Sequence, residues 1–288
     1  MEKARLSIGG IGVTLTGGAS VALAMRLPGM EVFALPEPNA AGGITITLDG
    51  HVALPECRWL HSFSLEATGT EARFGMGADG CLYHTFGGGM AMRYDPRRPD
   101  AVVCTAVADA SLLRYVLWTA YALAALPCGA VPVHSSAVVC DGKAVLCLGE
   151  SGTGKSTHTR LWRENIAGAF LLNDDSPIVR AEADGIYAYG SPWSGKTPCF
   201  RQERYPVAAL LRIVQRPENT IKRLGVVEAF AALQPSCPPA LAHDEGCMDM
   251  TVDFISRVVE RVPVYRLGCL PDADAARLSH DTIFPAQP

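Results

Sequence analysis

The chain has 288 residues, 49% of them hydrophobic, with 28 glycines and 20 prolines; this supports one large or two modest folded domains and excludes disordered and fibrous classes. Its 25 basic residues against 29 acidic ones give a net charge of −4, so no overall positive field exists to hold nucleic acid or an anionic membrane. The ten cysteines include no C-x-x-C pair and the N-terminus carries no secretory pattern, which points to a reduced, cytoplasmic protein.

From Arg5 to about Ala108 short alternating runs are bounded by turn residues. Ile44–Leu48 ends at Asp49-Gly50, and Ala72–Met76 is joined through Ala78-Asp79-Gly80 to Cys81–His84, so the pattern predicts an antiparallel meander. The Gly87-Gly88-Gly89 run follows no strand–helix pattern and reads as a flexible turn. His51, His61 and His84 have no metal-ligand spacing and are expected to face solvent or to be satisfied structural residues. Between Ser111 and Leu126 apolar residues recur at three- and four-residue steps, with Pro127 as a stop, which predicts an amphipathic helix. The longest apolar stretch, Tyr115–Pro127, spans 13 residues, fewer than the roughly 20 that a membrane helix needs. A change of character near Gly129 sets the expected domains: 1–129, β-rich with a connecting helix, and 130–288, which carries the chemistry.

Val133–Cys140 and Lys143–Leu148 flank Asp141-Gly142, a strong hairpin signal. The second strand runs into Gly149-Glu150-Ser151-Gly152-Thr153-Gly154-Lys155-Ser156-Thr157, whose first eight residues satisfy G-x-x-x-x-G-K-[ST]. The glycines permit a turn whose backbone N–H groups face phosphate oxygens, and a helix expected from Lys155 to about Asn165 adds the positive end of its dipole. Lys155 is spaced to reach the β- and γ-phosphates of ATP and Ser156 to ligate Mg²⁺, with the whole stretch from Gly149 to Thr157 expected to line the nucleotide.

Further on, Ala169–Asn173 reads as a buried strand ending in Asp174-Asp175, where a second Mg²⁺-organising carboxylate belongs. Two adjacent carboxylates allow one to order the metal and the other to take a proton from an attacking hydroxyl; alternatively, Asp175 turns the chain into Ser176-Pro177. A hairpin at Ile178–Ala181 and Ile186–Tyr189 leads to Gly190-Ser191-Pro192-Trp193-Ser194-Gly195-Lys196-Thr197-Pro198. This loop could close over a ligand, or Trp193 could anchor the core and Lys196 be a solvated charge. From Lys196 to Arg223 there are seven basic residues, Arg201 and Arg212 among them, against two acids, which suggests either contact with a phosphate or carboxylate or a solvated charged face. The helical spacing from Asp244 to Val262 and the strand from Val262 to Leu267 read as scaffold, and His158 and His280 have no partner in the sequence.

His134, the P-loop fifteen residues later and the apolar strand ending in Asp-Asp together resemble the catalytic domain of HPr kinase/phosphorylase. The second half looks more closely like the HPr-kinase-like group of serine-kinase-type proteins, which shares its core with ATP-dependent phosphoenolpyruvate carboxykinase. The resemblance covers roughly residues 131–284. It implies an α/β fold with a P-loop kinase core preceded by a β-rich domain, Asp174 as general base, Asp175 as a Mg²⁺ ligand, and His134 beside them. The implied activity is ATP-dependent phosphoryl transfer to a hydroxyl of serine, as a small molecule or in a peptide; the loop and the basic stretch themselves make Trp193, Lys196 and Arg201 candidate substrate contacts. Expected partners are a nucleotide and the serine acceptor, with no nucleic acid and no membrane; a homo-oligomer is open. The alternative is a nucleotide-dependent binding or switch module without a phosphoryl acceptor. The paired aspartates favour the kinase, because a switch needs a metal carboxylate but no base for an alcohol.

Overall fold

The computed structural model describes residues 1–36, 43–65, 69–87 and 89–285. It is a mixed α/β structure with two sheets. Its contacts divide the chain into two units, Met1–Ala130 with Pro238–Thr251, and Val131–Cys237 with Val252–Pro288.

In the first unit β1 (Glu2–Ile8) and β2 (Ile11–Gly17) form a hairpin, followed by the short helix α1 (Ala19–Met25) and by β3 (Ile44–Thr47). The strands β4 (Cys57–Leu65), β5 (Thr70–Gly77), β6 (Leu82–Phe86), β7 (Met90–Tyr94) and β8 (Ala101–Cys104) come next, and then the helix α2 (Ala110–Ala125). Among the described residues the sheet has eight strands in the order β1-β2-β3-β8-β7-β6-β5-β4. β4 to β8 form the expected antiparallel meander, but β3 runs parallel to both β2 and β8. The sheet is therefore mixed, because α1 carries the chain away from β2 and returns it in the same direction, a long-range path that no turn dipeptide announces. Gly88 lies outside the described residues, between β6 and β7.

α2 starts where Asp109 Oδ1 accepts from Leu112 N at 2.7 Å, a side-chain N-cap. With the following 3₁₀ turn it forms a 19-residue stretch, 110–128, that is long and apolar enough by length and composition to cross a membrane. It exceeds the 13-residue apolar run because Ala110–Arg114 and the turn extend it, and Leu113, Val116, Leu117, Tyr121 and Leu123 on it are buried. His84 departs from expectation: it is buried against Phe74 at 4.1 Å between ring centroids, and its Nδ1 has no partner among the described residues. Residues 238–251 join this unit, so the second unit is interrupted rather than running unbroken from 130 to 288. The cause is apolar: Ala240 and Leu241 are buried, a 3₁₀ turn at Pro239–Ala242 packs on α2, and His243 stacks on His61 at 4.9 Å.

The second unit contains β9 (Ala130–Pro132), β10 (Ser135–Cys140), β11 (Lys143–Leu148), α3 (Lys155–Asn165), β12 (Phe170–Asp175), β13 (Ile178–Ala181), β14 (Ile186–Tyr189) and β15 (Arg204–Gln215). β16 (Thr220–Arg223), α4 (Val226–Leu233), α5 (Glu245–Arg261), β17 (Val264–Cys269) and α6 (Ala273–Ile283) complete it, α5 beginning in the interrupting segment. The sheet order is β12-β10-β11-β15-β14-β13-β9, with β17 also paired to β15 and β16 to β17. β10 and β11 are buried on both faces, apart from Lys143, which their near-continuous apolar sequences dictate. α3 packs on this sheet through Leu161 and the fully buried Trp162, and α6 joins the same core through Ala275 and Ala276.

Candidate functional site

Pairing register assembles the site. β10 lies between β11 and β12, and its Ser135 pairs with Leu148 on one side and Asp175 on the other. His134, one residue earlier, therefore stands between the loop that leaves β11 and the carboxylates that end β12. Three blocks of sequence up to 41 positions apart are thus gathered at one end of three adjacent strands.

The loop Gly149–Gly154 joins β11 to α3. Gly154 occupies the N-cap position with φ of +103° and no side-chain cap, a conformation open to glycine, which leaves the first N–H groups of α3 uncapped. Thr153 Oγ1 donates to Glu150 O at 2.9 Å and tightens the turn. Lys155 is buried, and its Nζ donates to Gly149 O at 2.8 Å and Glu150 O at 3.1 Å and lies 3.0 Å from His134 Nε2. Burial pulls the Lys155 ammonium below the usual lysine value, with Asp175, Glu150 and Asp174 opposing that shift. Because a lysine ammonium only donates, His134 Nε2 accepts and the ring proton sits on Nδ1. That nitrogen lies 3.4 Å from Asp175 Oδ1.

The two aspartates differ in surroundings. Asp174 is only 3% exposed; its Oδ1 accepts from Ser156 Oγ at 2.8 Å and its Oδ2 from Thr197 N at 3.3 Å. The Asp175 side chain is 41% exposed beside His134, and its φ of +148° lies outside the range L-residues ordinarily occupy, a strain that surrounding structure must hold in place. The sequence reading makes Asp174 the base and Asp175 the metal ligand; in the structure the hydroxyl expected to ligate Mg²⁺ touches Asp174, while Asp175 has the imidazole and the access. Adjacent residues in a strand face opposite ways, so order in sequence could not say which carboxylate meets α3.

The Gly/Ser loop after β14 reaches the same place. Ser194 bridges to Asp175, Gly195 N donates to Asp174 O, and Ser194 Oγ donates to Thr197 O at 2.8 Å and accepts from Cys199 N at 3.0 Å. Ser194, Gly195 and Thr197 are the residues that brace the aspartates, and the sequence signalled only a small-residue loop. Trp193 is 3% exposed, which makes it a core anchor rather than a surface that meets a ligand. Lys196 is exposed and carries no ion pair among the described residues. Arg201 is not brought to the site: the segment runs back along β12, and the guanidinium lies over the Phe170 ring at 5.0 Å, at the opposite end of that strand from Asp175.

The basic residue that does arrive is Arg212. It pairs in register with Leu148, so it stands where the loop begins; its Nη2 donates to Glu150 Oε1 at 2.8 Å while its Nη1 is buried without a partner among the described residues. The pairing holds the Glu150 carboxyl below its usual value. Beside the loop a cavity of about 550 Å³ is lined by Gly152, Thr157, His158, Leu161, Ile213 and Leu270, among others, within the size range of small-ligand pockets.

No family model matches the chain, and no curated protein matches it. Among solved structures, the HPr(Ser) kinase/phosphatase from Coxiella burnetii is similar over 52% of this chain and 91% of that one, at 14% identity and a TM-score of 0.29.

Proposed function

We propose that this protein is a cytoplasmic phosphotransferase that uses ATP and Mg²⁺ to phosphorylate a hydroxyl, that of a serine either free or in a peptide. The observation that carries the reading is the convergence, around one glycine-rich strand–loop–helix turn, of Lys155, the His134 ring it bonds and the Asp175 carboxylate beside that ring with a Ser156–Asp174 pair. The residues suit the groups such a reaction needs. Uncapped N–H groups at the start of α3, a buried ammonium and the unpartnered Nη1 of Arg212 suit polyphosphate, and a hydroxyl beside carboxylate oxygens is an all-oxygen set suited to a hard cation such as Mg²⁺.

Bound Mg²⁺-nucleotide supplies the phosphoryl group and the ion offsets charge on it; the chain supplies positioning and a base. Lys155 neutralises phosphate charge, which requires its Nζ to trade loop carbonyls for phosphate oxygens. Asp174 and Ser156 would hold the cation. Asp175, the accessible carboxylate, takes the proton of the attacking hydroxyl, with Ser176 Oγ donating to its Oδ2 at 3.2 Å and the His134 ring beside it. A preorganised set of this kind favours charge that develops during transfer over charge already present in the ground state.

The test is incubation with Mg-ATP and, in turn, free serine, other hydroxyl amino acids and serine peptides, with mass detection of an added phosphate, in wild type and Lys155→Ala. Transfer that depends on Lys155 is the expected result. Tight nucleotide binding with transfer to none of these acceptors would replace the kinase reading with that of a nucleotide-dependent switch.

A further inference from the structure

At the opposite end of β10 from His134, a second cluster of metal-ligating side chains stands apart from the candidate site. Cys140, Asp141 and His280 each bring one ligand atom to within 4.8 Å of the others. Cys140 is the last residue of β10, and Asp141 and Gly142 form the two-residue turn to β11 with φ of +48° and +70°. Two positive φ angles mark a type I′ hairpin, a rigid turn that fixes the Cys140 and Asp141 side chains beside each other. His280 comes from α6 and is held in a third way: its ring packs on Trp162 at 5.5 Å and Phe284 at 5.5 Å, and its Nδ1 lies 2.8 Å from Asp281 Oδ1.

We propose that Cys140, Asp141 and His280 form a binding site for a single zinc ion, completed by water. The ligand types are those zinc takes, a thiolate, an imidazole and a carboxylate. A tetrahedral shell with Zn–S of about 2.3 Å and Zn–N/O of about 2.0–2.1 Å sets its ligand atoms roughly 3.3–3.6 Å apart, so groups no more than 4.8 Å apart have at most about 1.5 Å to close, within reach of side-chain rotation on a turn and a helix end. With Nδ1 engaged by Asp281, Nε2 is the nitrogen left for the ion, and the carboxylate–histidine–metal arrangement that orients zinc ligands is already present. Binding converts the Cys140 thiol to a thiolate and releases its proton to solvent, which the cation compensates in a place where burial otherwise holds the thiol above its usual value. The ion would tie the β10–β11 turn to α6. The neighbouring Ser279 on that helix bonds His158 and Trp162 of α3, so the tie bears on the helix that starts at the glycine-rich loop.

The experiment titrates reduced, metal-free full-length protein with Zn²⁺ by calorimetry and with Co²⁺ by absorption, in wild type, Cys140→Ala, Asp141→Asn and Asp281→Asn, with Ser156→Ala as a control on the other site. The expected result is one equivalent bound and a cobalt–thiolate charge-transfer band in wild type and Ser156→Ala. That band disappears in Cys140→Ala, and affinity falls about 10–100-fold in Asp281→Asn, as for loss of an outer-shell partner. Asp141→Asn, a surface change at a position where asparagine tolerates positive φ, weakens binding while leaving circular dichroism unchanged. Binding no tighter in wild type than in Cys140→Ala, or a thiolate band that survives Cys140→Ala, overturns the proposal.

Discussion

Replacing the two aspartates one at a time separates their roles. Asp175→Asn keeps the size and one acceptor oxygen but cannot take a proton. The side chain is 41% exposed beside His134, and the change leaves the uncapped start of α3 and the Ser156–Asp174 pair in place, so nucleotide binding should persist. Loss of a positioned general base costs about 10²–10⁴ in turnover, or roughly 2.7–5.4 kcal/mol at 1.36 kcal/mol per tenfold, and added Mg²⁺ should not restore it. Asp174→Asn acts differently. It removes the charge that accepts from Ser156 Oγ at 2.8 Å and from Thr197 N at 3.3 Å, so it should raise the Mg²⁺ concentration needed for half-maximal rate, with the rate recovering in part at excess Mg²⁺. The assay is steady-state transfer over a Mg²⁺ series for both variants, with nucleotide affinity measured alongside by calorimetry. Equal defects that excess Mg²⁺ repairs in both would refute the assignment and leave one shared metal site; a Mg²⁺-dependent defect confined to Asp175→Asn would restore the opposite division.

Gly195→Ala would place a Cβ 2.9 Å from Asp174 O and 3.2 Å from Asp175 Cβ, so it should displace the bracing loop, cost about 1–3 kcal/mol as overpacking does, and reduce turnover; unchanged kinetics would show that the loop does not hold the aspartates. Arg212→Met should raise the KM for the nucleotide more than it lowers kcat. Arg212→Lys should rescue it poorly because an ammonium cannot both keep Glu150 and present a second donor in the same fork; full rescue by lysine would mean that only net charge matters. Burial, with a contribution from His243, pulls the His84 imidazole down to about 3. Its folded value lies below the unfolded one, so the unfolded chain binds more protons, and stability should fall as pH drops from about 6.5 toward 3, by at most about 5 kcal/mol from this residue. Urea unfolding against pH should show that slope and His84→Phe should flatten it; an unchanged slope would assign it to other groups.

Local patterns fixed much of the candidate site. The G-x-x-x-x-G-K-S spacing is read within eight residues, because backbone turn, helix start and Lys155 are all set by neighbours in the chain. The strand, loop and helix around it follow from apolar runs and Asp-Gly turns for the same reason. The Asp174-Asp175 pair was legible as chemistry, but not which carboxylate meets which neighbour. Tertiary structure decided that: β10 pairs with both β11 and β12, and the pleat turns Asp174 toward Ser156 and Asp175 toward His134. Sheet order likewise decided which arginine arrives. Arg201 and Arg212 belong to one basic stretch, yet Arg212 stands level with Leu148, whereas the chain carries Arg201 to Phe170. Trp193 read equally as a lid or an anchor, since an aromatic ring suits either, and packing buried it. The interruption of the second unit by residues 238–251 and the approach of His280 to Cys140 across the sequence leave no periodic trace. Both depend on which apolar faces find one another once the sheets have formed, and that is a property of the whole chain, not of any window along it.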